Sequence, residues 1–217
     1  MCETEKVKRR QSLALLAGKL PAMFSEFALH VAIRKVVVIA ALVALLALSG
    51  ERADTLGLTR REWPRRLAVG LAAGTAMFLR FNVGLGSVLG ALLPRSAAAG
   101  ASITSYFSVP GNLLLWLPIG ILGGGVVEEL QRIFVLTRFE QWWGRRGLVL
   151  GVILSSVMFG LGHLYQGPGV ALGTAVSGAV LALLYLRRRS ALEPIAAHAI
   201  SDVFAVLAAT FLVHPHG

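Results

Sequence analysis

Six ionisable side chains interrupt otherwise apolar stretches in the C-terminal half of this sequence: Glu128, Glu129, Arg132, His163, His198 and Asp202. A titratable group in a lipid-embedded helix is costly, so it marks function by default. Glu128 and Arg132 are four residues apart and share one helix face, with Glu129 beside them. An arginine so placed keeps one carboxylate ionised and oriented. The other carboxylate is then free to take a proton from water, the task of a general base. His198 and Asp202 repeat the four-residue spacing, and His163 closes the stretch Phe159-Gly160-Leu161-Gly162-His163.

Each cluster alone has a plainer reading: an ion pair locking two helices, a packing histidine, a local histidine–carboxylate contact. Six such groups on three helices satisfy one another only if they converge. Convergent Glu and His fit water activation by a carboxylate base, or by a metal held on the histidines. Glu128, His163 and His198 would complete a catalytic zinc set, whereas a carboxylate-activated water needs no metal.

The elements that must position these residues are transmembrane helices. Of 217 residues, 56% are hydrophobic and 15% charged, and the mean hydropathy is +0.72; an average soluble domain is about 45–50% apolar and about 25% charged. At about 20 residues per crossing, the chain supplies an all-α, polytopic bundle of about six spans. Residues 1–217 read as a single membrane domain with no separate soluble part. The net charge of +10 is not a nucleic-acid signature, because the basic residues fall in short clusters between apolar runs. Cys2 is the only cysteine, which excludes an intrachain disulfide framework and a thiolate metal site.

The expected spans are Phe27 to Ser49, Leu67 to Leu93, Asn112 to Phe139, Leu148 to Leu164, Val170 to Leu186 and Leu192 to Val213. The first requires Arg34 and Lys35 to be paired or to face protein. Arg80 sits mid-span in the second, where it either meets a carboxylate or breaks the segment in two. Glycines such as Gly70, Gly74, Gly84, Gly86 and Gly90 allow close helix contact in lipid, and Pro94 ends that span. The N-terminal stretch from Ser12 reads as an interfacial amphipathic helix or a poor extra span rather than a cleaved signal. Segments 51–66, 138–146 and 187–189 hold most of the loop Lys and Arg. The positive-inside rule therefore makes them cytoplasmic, with Trp142 and Trp143 as an interfacial belt and the link from Arg95 to Gly111 outside.

The order and spacing of the charged groups resemble the CPBP family of intramembrane peptidases, which includes the CAAX prenyl proteases and is also called the Abi family. That family carries EExxxR, FxxxH and HxxxN or HxxxD on successive membrane helices. Here FxxxH runs from Phe159 to His163 and HxxxD from His198 to Asp202, and Leu192 and Pro194 are similar to the family's approach to its last motif. The likeness covers residues 112–213, which it marks as a catalytic core. One departure is the arginine, which follows the glutamate pair one residue early as EExxR, so the register admits either glutamate as the family's base.

The resemblance implies an endopeptidase of a bacterial plasma membrane that hydrolyses membrane-anchored or prenylated, CAAX-type substrates. Its partners are membrane lipids and a lipidated peptide or protein, with no nucleic acid. Glu128 or Glu129 would activate water with His163, His198 and Asp202 would stabilise the oxyanion, and Arg132 would orient the glutamates. A divalent metal such as zinc stays open as cofactor. The shifted arginine also admits a non-hydrolytic membrane binding or immunity protein on the same fold. A proton-coupled transporter is disfavoured by the short chain and the lack of an inverted repeat.

Depth sets one difficulty. At 1.5 Å per residue, His163 lies roughly 20–25 Å from the basic end of its helix and His198 about 12 Å. One shared water requires the two to meet, so the helices must tilt or the first must begin deeper.

Overall fold

The structure is a computed structural model that describes residues 26, 28–85 and 112–211. The expected N-terminal helix, the link 95–111, and Gly86, Gly90 and Pro94 lie outside these residues. Among the described residues every regular element is helical. In chain order they are α1 (Ala28–Leu48), a 3-10 turn (Ala53–Leu56), α2 (Trp63–Phe78) with a π-wound extension (Leu79–Leu85), and α3 (Leu113–Pro118). A π segment (Ile119–Glu128) then leads into α4 (Glu129–Leu161), α5 (Pro168–Arg188) and α6 (Leu192–Phe211).

Among the described residues, four helical stretches are long and apolar enough to cross a membrane: Ala28–Leu48, Leu113–Leu161, Pro168–Arg188 and Leu192–Phe211. Residues 86–93 of the expected second span lie outside the described residues. Leu113–Leu161, expected as two spans, is one run of 49 residues, and α2 has 16 residues before its winding changes. Arg80 lies in that changed winding, exposed and apart from the carboxylates.

At 1.5 Å per residue the 49-residue run would extend about 70 Å, over twice a hydrocarbon core of about 30 Å. It turns instead at Trp143 (φ −133°, ψ 15°) and Gly144 (φ 57°, ψ −139°). Gly144 is in the positive-φ region, which only glycine occupies without strain. Beyond it the chain doubles back, so that a Cβ at Gly151 would stand 3.3 Å from the Leu136 and Phe139 side chains. The loop expected over 138–146 is therefore a reversal of two residues within continuous helix.

α6 is the centre of the packing. α2 lies against it through Gly70 and Gly74, a small-xxx-small pair that lets backbones approach closely. A Cβ at Gly70 would be 2.6 Å from the Glu193 carbonyl oxygen and 2.7 Å from Ala196 Cβ, and one at Gly74 would overlap the Ala197 backbone. On its other side Gly125 of the π segment meets Ala199, where an added Cβ would be 2.7 Å away. Trp116 of α3 packs with Val206 of α6 and Ala28 of α1. A second cluster, Leu42, Leu56, Leu130, Ile133, Leu136, Ala182 and Tyr185, joins α1 and the 3-10 turn to α4 and α5. Outside these seams large apolar side chains face outward, among them Leu114 at 87% and Val36 at 65% exposure.

The three basic segments gather at one end of the bundle. Arg138 Nη1 donates to Glu51 Oε1 at 2.8 Å, Arg189 Nη2 donates to Glu140 Oε1 at 2.7 Å, and the Ala191 amide donates to the Gly57 carbonyl at 3.1 Å. Hydrogen bonding from Arg138 holds the Glu51 carboxyl below its ordinary range. Of the α1 pair, Arg34 is exposed, whereas Lys35 turns inward and reaches Glu128.

Candidate active site

Pro118 begins the architecture of the site. Having no N–H, it cannot continue the helical ladder, and the backbone from Ile119 to Glu128 winds as π-helix, a form that recurs at functional sites. Within this stretch Gly123, Gly124 and Gly125 are buried. Gly124, Gly125 and the nearby Gly120 make room for α6: a Cβ at Gly124 would run into Asp202 Oδ2 and lie 3.4 Å from His198 Nε2, and one at Gly120 would lie 3.1 Å from Asp202 Cβ.

Consecutive helical residues point about 100° apart, so the two glutamates face different neighbours. Glu129 is completely buried. Its Oε1 pairs with Arg132 Nη1 and accepts from His198 Nδ1 at 2.7 Å. The Arg132 guanidinium also lies 4.6 Å over the Phe159 ring, a cation–π contact, against the space left by Gly178. Of the two glutamates the sequence left open, Arg132 pairs with Glu129, three residues away, because that carboxylate faces the same interhelical space as the guanidinium.

Glu128 has different company. Its Oε1 forms an ion pair with Lys35 Nζ, while Oε2 is 3.9 Å from His198 Nε2. His198 Nε2 is in turn 3.7 Å from Asp202 Oδ2. Both separations exceed a hydrogen bond, and a single oxygen atom bridges gaps of this size.

His163 is set back from that point. Its Nδ1 lies 2.9 Å from the Phe159 carbonyl oxygen, to which it donates when protonated there. The Phe159 ring contacts both histidines, with centroids 5.0 Å from His163 and 5.5 Å from His198. The depth mismatch is therefore present in the fold: the residue level with His198 is Phe159, and His163 is one turn farther along. It remains within electrostatic reach of Glu128 and Asp202.

The structure brings Glu128, Glu129, Arg132, His198 and Asp202 into one cluster and joins His163 to it through Phe159. Sequence reasoning missed three participants. Lys35 had a signal, a cation inside an apolar run that had to be paired. Phe159 was noted only as a motif letter, and the glycine triplet was not singled out.

Among the described residues no three of His, Cys, Asp and Glu are grouped as a metal site. Glu128, His163 and His198 do not fit zinc in this arrangement. The Phe159 ring packs edge-on against both imidazoles, His163 Nδ1 is turned to the Phe159 carbonyl oxygen, and Lys35 occupies one Glu128 oxygen.

Residues 110–204 match the family model described as type II CAAX prenyl endopeptidase Rce1-like. Over this stretch the chain is similar to the Rce1-like family. No curated protein and no solved structure matches the chain. The Rce1-like segment contains all six of the site residues read from the sequence, whereas Lys35 and the whole of α2 precede it. With its four apolar helices, the chain is an integral membrane protein.

Proposed function

We propose that the chain is an intramembrane endopeptidase that hydrolyses a membrane-anchored or prenylated, CAAX-type substrate, with Glu128 as general base. The observation that carries this reading is the placing of His198 Nε2 3.9 Å from Glu128 Oε2 and 3.7 Å from Asp202 Oδ2. Glu129 is the poorer candidate, since it has no exposed surface and its Oε1 already accepts from two donors. The Rce1-like match supports the substrate class.

In this mechanism Glu128 Oε2 removes a proton from the water, and the water oxygen bonds to the scissile carbonyl carbon. The carbonyl becomes an oxyanion. His198, whose Nδ1 donates to Glu129, turns Nε2–H toward that oxygen, and Asp202 in its protonated form adds a second donor. The C–N bond then breaks as its nitrogen takes the proton from Glu128, giving a carboxylic acid and an amine. His163 acts with Glu128 electrostatically from one turn away. Residues 112–213 form the catalytic core, and surrounding helices exclude bulk water. The basic end is read as cytoplasmic by the positive-inside rule, with substrate entering laterally from lipid or from that side.

The test is cleavage of a farnesylated, CAAX-ended peptide reporter by protein purified in detergent. Glu128→Gln should lower kcat by at least about 100-fold, the usual contribution of a general base, in protein that remains folded. Exhaustive chelation should leave the wild-type rate intact. A Glu128→Gln variant that cleaves like the wild type eliminates this mechanism.

A further inference from the structure

We propose that Lys35, on α1 and outside the Rce1-like segment, is a positioning residue that fixes Glu128 for the reaction; this rests on the hydrolytic reading above. Arg132, the cation supplied within the glutamate motif, is committed to Glu129 and to the Phe159 ring. Glu128 therefore takes its cation from a residue 93 positions away. The pair is largely enclosed, with side-chain exposures of 13% for Lys35 and 18% for Glu128.

The approach is built rather than incidental. The lysine stem lies along Gly123, where an added Cβ would stand 3.4 Å from Lys35 Cγ and 3.5 Å from Cε. Much of α1 otherwise presents apolar side chains outward, including Ile33, Val37, Val43 and Leu48. Lys35 is thus an inward-turned charge on a helix largely given to lipid.

Its effect follows from geometry. An ammonium is a compact point charge with three donors; anchored on Oε1, it stops rotation of the Glu128 carboxylate and leaves Oε2 directed at His198 Nε2. It also balances the Glu128 charge in a low-dielectric space. The departure from the family's arginine spacing acquires a physical counterpart, since each glutamate has its own cation from a different helix.

The experiment compares wild type, Lys35→Met and Lys35→Arg on the farnesylated reporter, and adds a thermal double-mutant cycle of Lys35→Met with Glu128→Gln. Lys35→Met should lower kcat ten- to 100-fold with KM unchanged, and Lys35→Arg should restore most of the rate. In the cycle, Lys35→Met should lower the melting temperature of the wild type but add little in the Glu128→Gln background. Full activity in Lys35→Met, or loss confined to KM, overturns the proposal. If the wild type cleaves no reporter, the hydrolytic reading fails separately. The hold on Glu128 is then judged by the cycle alone, where additive shifts overturn it.

Discussion

Glu129 and Arg132 show how little freedom a buried charge has. With 0% and 4% exposure, neither can turn to water, and removing one partner of such a pair costs about 3–5 kcal/mol, because the other is left charged and alone. Arg132→Met should therefore melt far below the wild type. Combining it with Glu129→Gln removes both charges but keeps an acceptor for His198 Nδ1, so this double variant should recover most of the lost stability. A double variant melting no higher than Arg132→Met would show that the stranded carboxylate is not the cause. The same chemistry explains why Glu129 is a support and Glu128 a candidate base: Glu129 Oε1 is engaged by two fixed donors and its carboxylate is fully buried, whereas Glu128 Oε2 lies 3.9 Å from His198 Nε2.

Glycine placement governs the site at the level of elements. The π-wound Ile119–Glu128 stretch brings Gly120, Gly124 and Gly125 against α6, and Gly70 with Gly74 brings α2 against its other face. Lipid tails are as apolar as the helices, so close packing rather than hydrophobic transfer holds these contacts. Gly74→Val should cost about 1–3 kcal/mol, as overpacking of a tight contact does. Gly173→Val, at a position with nothing within 4 Å of an added Cβ, is the matched control and should shift the melting temperature far less. Equal shifts for the two would refute the close-contact account.

For the whole molecule, the joined basic segments give the bundle one charged end and place Leu164, in the turn after α4, toward the other. A cytoplasmic basic end makes a definite labelling pattern. In a Cys2→Ser background, Arg61→Cys should react with an impermeant maleimide only after the cytoplasmic face is opened, while Leu164→Cys should react from outside intact cells. The reverse pattern would invert the topology.

The all-helical class, the last two helices and the grouping of six charged residues by motif were legible in sequence because they depend on neighbours one turn away. Val170 to Leu186 and Leu192 to Val213 were expected, and Pro168–Arg188 and Leu192–Phe211 are found. Apolar run length and the flanking Gly, Pro and Arg residues decide such boundaries locally. Which glutamate meets Arg132 was not legible: adjacent helical residues point into different spaces, and what fills each space comes from other helices. Nor could local spacing say that Trp143-Gly144 reverses the chain without a loop, or that Phe159 and not His163 stands level with His198. Least of all could it pair Lys35 with Glu128. In lipid a lone charge must find a partner, but only the packing of α1 against the glycine-lined π segment decides which one.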